Sequence, residues 1–265
     1  MKTTQFLSVA LAAAVVGVAT TAVGQGMMGG RTARDPGEQL AQLFGKNKAF
    51  SADASVIVKD PSGKEMPAME FSYVMLDGKV RTDMDMAKIH GGGMTPQAIM
   101  QMRSMGMDRI VHIFLPEKKV AYMIYPGMKA YCQMDTGKLA AQKEAKEPKI
   151  EKTDLGKETV EGHPCVKSKV VITQDDGKKF ESLQWQAADL KDFPVKSEMS
   201  SEDGTVVTTL FKNINQSKPD ASLFDPPADF KRYDTIQELM MSNMQHMMPP
   251  GAMSPHGGMP QGGSQ

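Results

Sequence analysis

The stretch Met69 to Met86 reads Met-Glu-Phe-Ser-Tyr-Val-Met-Leu-Asp-Gly-Lys-Val-Arg-Thr-Asp-Met-Asp-Met, and few folds can hold such a pattern. Met69, Phe71, Tyr73 and Met75 alternate with Glu70, Ser72 and Val74. After Asp77-Gly78, Val80, Thr82, Met84 and Met86 alternate with Arg81, Asp83 and Asp85. Side chains of a strand point alternately to its two faces, and Asp-Gly accepts the positive φ of a tight hairpin, so the stretch predicts an antiparallel hairpin with one apolar face. Asp176-Gly177 and Asp203-Gly204 repeat the turn signal farther on. Around them Lys149 to Thr159, Cys165 to Thr173, Phe180 to Gln186, Val195 to Ser200 and Thr205 to Asn213 read as further strands. Ile110 to Leu115 and Val120 to Tyr125 are apolar on both faces, which requires a cover on each side.

Helical patterns are short. Asp35-Pro36 opens one that carries Leu40, Leu43 and Phe44 on one face, and Thr95-Pro96 opens another through about Met107. This methionine-rich helix is the expected cover for one face of the doubly apolar strands. Lys138 to Glu147 and Thr235 to Met248 read as two more. About ten strands, all antiparallel, with three or four short helices make a mainly β, α+β chain. The expected architecture is one curved sheet or half-barrel with helices on its concave side.

The ends are of a different kind. Lys2 precedes an apolar run from Phe6 to Ala22, and Ala22-Val23-Gly24 offers the small side chains a signal peptidase reads. Residues 1–24 are therefore expected to be a signal peptide cleaved before Gln25, with the mature protein in the periplasm or secreted. The run is only marginally long enough for a bilayer and lacks a basic flank, and no later run is apolar for long enough to cross one. Residues 25–34 read as a flexible leader, 35–248 as the folded domain with its C-terminal helix, and 249–265 as a disordered Met/Gly/Pro tail. The 31 Lys+Arg balance 31 Asp+Glu, which removes the electrostatic footprint of a nucleic-acid binder. Cys132 and Cys165 lack CxxC spacing, and in an oxidising compartment they are expected to form one disulfide.

Three phrases carry a resemblance. They are Glu158-Thr-Val-Glu-Gly-His-Pro-Cys-Val-Lys-Ser-Lys169, Trp185-Gln-Ala-Ala-Asp-Leu-Lys-Asp-Phe-Pro-Val195 and Pro219-Asp-Ala-Ser-Leu-Phe-Asp-Pro-Pro227. Together they resemble an exported bacterial domain family of unknown function, itself similar to the LolA-like superfamily of periplasmic lipoprotein carriers. The resemblance spans roughly residues 35 to 245. It implies an open antiparallel half-barrel with an apolar concave face under helices, a cavity for acyl chains or hydrophobic segments, and no catalytic residue. The methionine-rich helix, the two cysteines and the Met/His tail depart from the carrier pattern.

Methionine is the strongest compositional signal, at 24 residues. Met94, Met100, Met102, Met105 and Met107 gather around the middle helix. Unbranched thioethers suit surfaces that hold varied apolar ligands, and they equally replace Leu in a core. Strand parity selects Phe71, Tyr73, Met84, Met86, Met100, Ile110, Phe114, Tyr122 and Trp185 as the lining of an apolar cavity. In the tail, Met244, His246, Met247 and His256 combine thioethers with imidazoles, a donor set that selects Cu(I). A metal-binding envelope protein is therefore one alternative, and an envelope adaptor without a small ligand is another. His90-Gly91-Gly92-Gly93 has no GxSxG partner and reads as a hinge. HExxH, P-loop and dinucleotide motifs are absent, so the expectation is a non-enzymatic binding protein without cofactor whose partner is a lipid or lipoprotein segment.

Overall fold

The computed structural model describes residues 44, 46–66, 69–88, 95–136, 149–173, 179–200 and 204–247. The alternating stretches become strands wherever a turn residue can reverse them. At Asp77 and Gly78, φ values of 49° and 85° give the tight turn that Asp-Gly was expected to make. It joins β2 (Met69–Leu76) to β3 (Lys79–Asp85), with Tyr73 opposite Thr82 and Phe71 opposite Met84.

The remaining strands are β1 (Ala49–Lys59), β4 (Arg109–Leu115), β5 (Val120–Tyr125), β6 (Ala130–Asp135), β7 (Lys149–Val160) and β8 (His163–Thr173). They continue with β9 (Lys179–Ala187), β10 (Phe193–Ser200), β11 (Val206–Asn215) and β12 (Lys231–Tyr233). One sheet contains all twelve described strands in the order β12-β6-β5-β4-β3-β2-β1-β11-β10-β9-β8-β7, and it is not closed. Two meanders, β2 to β6 and β7 to β11, meet at β1, which pairs with both β2 and β11. Asn47 and Gln216 fasten this junction: Gln216 Nε2 donates to Leu190 O at 2.8 Å and to Asn47 Oδ1 at 2.6 Å, and Asn47 Nδ2 donates to Lys191 O at 3.2 Å.

The expectation of a wholly antiparallel sheet is corrected at one edge. β12 runs parallel to β6, Lys231 opposite Ala130 and Tyr233 opposite Cys132. After β11 the chain returns across the sheet before it enters this edge, so β12 arrives in the same direction as β6.

The doubly apolar strands are covered on both sides, and the methionine-rich helix contributes the half-buried Met102 to the cluster that holds Phe114. On one face Leu76, Val111, Ile113, Leu115 and Ile124 pack beneath Phe224 and Phe230. Arg81 holds this cover in place, with Nη1 donating to Leu223 O at 2.9 Å. On the other face Met123, Tyr125, Ala130 and Cys132 pack against Leu239 of α2 (Ile236–Met247). The methionine-rich helix α1 (Pro96–Ser104) is capped by Thr95 Oγ1, which accepts from Ala98 N at 3.1 Å, and it buries none of its residues. Ala98, Ile99 and Met102 form its half-buried side, while Gln97, Met100, Gln101, Arg103 and Ser104 are exposed. Gly106 and Gly127 cross behind it so closely that a Cβ on Gly106 would lie 2.6 Å from Gly127 C, which fixes both as glycine.

The expected disulfide is also corrected. Cys132 and Cys165 are both free thiols and both buried. A disulfide needs Cα atoms within about 7 Å, whereas eight strands lie between β6 and β8 in the sheet. Burial, with the nearby Glu238 carboxylate, pushes the Cys132 thiol up to about 11. The expected signal peptide, leader, His90–Gly93 hinge, Lys138–Glu147 helix and tail, and the helix expected from Asp35 except Phe44, lie outside the described residues.

Candidate ligand-binding face

Directly paired residues share a face, so the register defines the site row by row. Phe50, Met75, Val80 and Phe114 form one row across β1 to β4. Ala52, Tyr73, Thr82 and His112 form the next, and Phe211, Ala54, Phe71, Met84 and Ile110 the one after it. Ala52 and Ala54 leave room for rings from both sides. Phe44 and Phe50 stand 4.6 Å apart between centroids, Phe50 and Phe193 4.9 Å, and Phe50 and Tyr73 stack at 5.7 Å. Each such side chain contributes roughly 1.5–3 kcal/mol by leaving water. The Tyr73 hydroxyl has no hydrogen-bond partner, and burial raises it far above the ordinary phenol range.

Six of the nine expected lining residues, Phe71, Tyr73, Met84, Met86, Phe114 and Trp185, come together in one buried cluster. Ile110 lies on the same face by register and packs beside Met123 and Leu239. Two are placed elsewhere. Met100 is 67% exposed on α1. Tyr122 pairs with Ile113 and Gln133 on the opposite face and meets Tyr131 edge to face at 5.8 Å.

Trp185 belongs to the buried cluster, yet its register partners Lys167 and Lys196 set it on the face opposite Phe71. Their ammonium groups sit 4.8 and 4.3 Å from its ring. Its Nε1 donates to Glu158 Oε2 at 2.7 Å, and Lys167 Nζ lies 3.3 Å from the same oxygen. The Trp185 bond, and then Lys167, hold the Glu158 carboxyl below its usual range.

One feature escaped the sequence. Thr209, Ser197, Gln184 and Ser168 are paired in a single row across β11, β10, β9 and β8, and all four are buried. Val56 continues the row onto β1, so these polar side chains share the face of the aromatic cluster. Ser182 stands one row over, between Met199 and Val170. The signal was present as hydroxyl residues at the inward parity of otherwise apolar runs, such as Val207-x-Thr209-x-Phe211.

Among the described residues no group of three or more His, Cys, Asp or Glu could hold a metal ion. The side chains of Met244, His246 and Met247, and all of His256, lie outside the described residues. Among the described residues no helix is long and apolar enough to cross a membrane.

No family model matches the chain, and no curated protein matches it. Solved structures do. The chain is similar to the MucA/MucB complex structure of Pseudomonas aeruginosa at 17% identity and a TM-score of 0.38, over 75% of this chain and 63% of that one. It thus spans less than two thirds of that chain's length. A LolA superfamily protein from Nitrosomonas europaea matches at 9% identity and a TM-score of 0.29, over 68% of this chain and 90% of that one. LprF from Mycobacterium bovis matches at 13% identity and a TM-score of 0.36, over 76% of this chain and all of that one.

Proposed function

We propose that the chain is exported and holds an apolar ligand, a lipid or a lipidated or hydrophobic segment, against the aromatic face of a half-barrel without catalysis. The observation that supports this most is the continuity of that face. Apolar or small side chains follow one another at paired positions from β11 to β4, on a sheet whose edges β7 and β12 remain unjoined. Met69 and Met102 border the cluster, and thioethers repack at low cost around ligands of different shape. Each acyl CH₂ taken up contributes about 0.8 kcal/mol, so a modest cavity gives useful affinity. Binding by this route needs neither metal nor cofactor.

Native mass spectrometry of the mature chain purified from its own envelope tests the reading. The expected spectrum shows a mature mass beginning at Gln25 and a lipid-sized adduct. An empty protein would overturn the ligand, and a species retaining residues 1–24 would overturn the cleavage. A copper adduct weakened by His246→Ala and His256→Ala would replace the lipid reading with the metal one.

A further inference from the structure

A purely apolar ligand leaves the polar row across β8 to β11 without a purpose. Adjacent strands lie about 4.8 Å apart, so Thr209, Ser197, Gln184 and Ser168 draw a stripe roughly 14 Å long across the sheet. Their exposures are 1, 7, 1 and 0%, and that of Ser182 beside them is 5%. The hydroxyls of Ser168, Ser182 and Thr209 have no hydrogen-bond partner. Buried polar groups can be matched in this fold: Asn47, at 5% exposure, bonds to Phe44, Lys191 and Gln216, whereas the Tyr73 hydroxyl, on the same face as the stripe, is unmatched like the three hydroxyls. Buried hydroxyls left unmatched destabilise a fold, so three of them on three strands of one face mark a place where a partner arrives.

The surroundings restrict that partner. The stripe's row continues into Val56, and the row of Ser182 carries Val58, Val207, Met199 and Val170. Neither row holds a charged side chain until the exposed edge strand β7, where Asp154 and Lys152 end them. A carboxylate or phosphate seated here would be buried without a cation, which is strongly unfavourable. Hydroxyls both donate and accept, and they match the acceptor oxygen of a neutral carbonyl.

We infer that Ser168, Ser182 and Thr209 hold the uncharged acyl carbonyl, ester or amide, of an amphiphile whose hydrocarbon lies along the apolar rows beside them. This rests on the proposed apolar-ligand function and adds selectivity to it. The stripe sets the depth at which the carbonyl stops, and it discriminates against anionic lipids of the same chain length.

The test uses the full delipidated chain loaded with diphenylhexatriene, a hydrocarbon that fluoresces only in an apolar site. Monooleoylglycerol, oleoylethanolamide and oleate, all with one oleoyl chain, then compete for it at about pH 8, where the carboxylate is ionised. The ester and the amide are expected to compete about tenfold better than oleate, and whichever is stronger names the source of the carbonyl. The triple variant Ser168→Ala/Ser182→Ala/Thr209→Val is expected to lose that margin while still taking up diphenylhexatriene. Thr209→Val alone, nearly isosteric, is expected to lose about threefold. A margin that stays undiminished in either variant, or a preference for oleate, overturns the inference and leaves apolar binding standing. Failure of the unaltered chain to take up diphenylhexatriene overturns both.

Discussion

The two arms of the sheet are built from the same kind of hairpin and treated differently on their backs. In the β2 to β6 arm the back carries Val111, Ile113, Leu115 and Ile124, sealed by Phe224 and Phe230. In the β7 to β11 arm the back carries charge: Lys169 pairs with Glu181 at 2.8 Å, Lys196 with Glu198 at 2.8 Å, and Lys167 with Glu158 at 3.3 Å. Their inner faces differ in the opposite sense. The first arm fills its inner face with Phe71, Tyr73, Met84 and Phe114, whereas the second lines it with Thr209, Ser197, Ser182 and Ser168. An arm packed on both sides has its geometry fixed by the core. The second arm buries small polar groups on its inner face and Trp185 amid ion pairs on its back, so less of its geometry is fixed by apolar packing.

The largest effects should therefore fall on the first arm and the junction. Phe50→Ala removes a fully buried ring that touches Phe44, Tyr73 and Phe193. It is expected to cost about 3–5 kcal/mol in urea unfolding. A loss under about 1 kcal/mol would mean that the aromatic cluster is not the centre of stability. The back of each arm gives the next contrast. Ile113→Ala, at 0% exposure under the Phe224 cover, should cost about 2–5 kcal/mol. Lys169→Ala, at the same side of the second arm, breaks one half-exposed ion pair and should cost about 0–1 kcal/mol. Equal losses at the two positions would erase the distinction between an apolar back and a charged one.

Much of the first arm was legible because its hairpins carry their own signals. Asp77-Gly78 fixed the β2–β3 register, and once that register holds, parity places Phe71, Tyr73 and Met84 together without further information. Trp185 shows where parity stops. It alternates correctly along its own strand, but the face it takes depends on Lys167 and Lys196 across two other strands. β6 and β12 were missed for a related reason. Ala130-Tyr-Cys-Gln-Met-Asp has no clean alternation, and three residues of β12 become a strand only because β6 is there to receive them. Distance in space was equally hidden in the case of Cys132 and Cys165, since two cysteines in a sequence say nothing of the strands between them. The polar stripe went unread because serine and threonine are ordinary on solvent-facing strand positions, so their inward parity did not stand out. Only the register turned Ser168, Ser182 and Thr209 inward.

Thr209→Val sharpens the comparison from the second arm. Replacing an unmatched buried hydroxyl by a methyl of similar shape should raise stability by up to about 1 kcal/mol, read as a higher urea midpoint with an unchanged slope. A matched loss of stability would mean that Thr209 already has its partner, and the second arm would then be as finished as the first.

The smallest expected effect lies on the charged back of that arm, at Glu158. The carboxyl is held below its ordinary range by the Trp185 Nε1–H bond first and by Lys167 second. A depressed folded value adds stability that is present above the unfolded carboxylate range near pH 4.3 and is lost as pH falls through the lower folded value. Trp185 is the only tryptophan, so its fluorescence reports this event directly. Lowering the pH should leave the emission flat through the ordinary glutamate range and change it only below, and Glu158→Gln should abolish the step while the urea midpoint near neutral pH barely moves. A step at the ordinary glutamate value would show that Lys167, Lys196 and Glu158 lie loosely over the ring. The back of the second arm would then be a solvated surface with no fixed charge lattice, and the contrast with the sealed first arm would become wider.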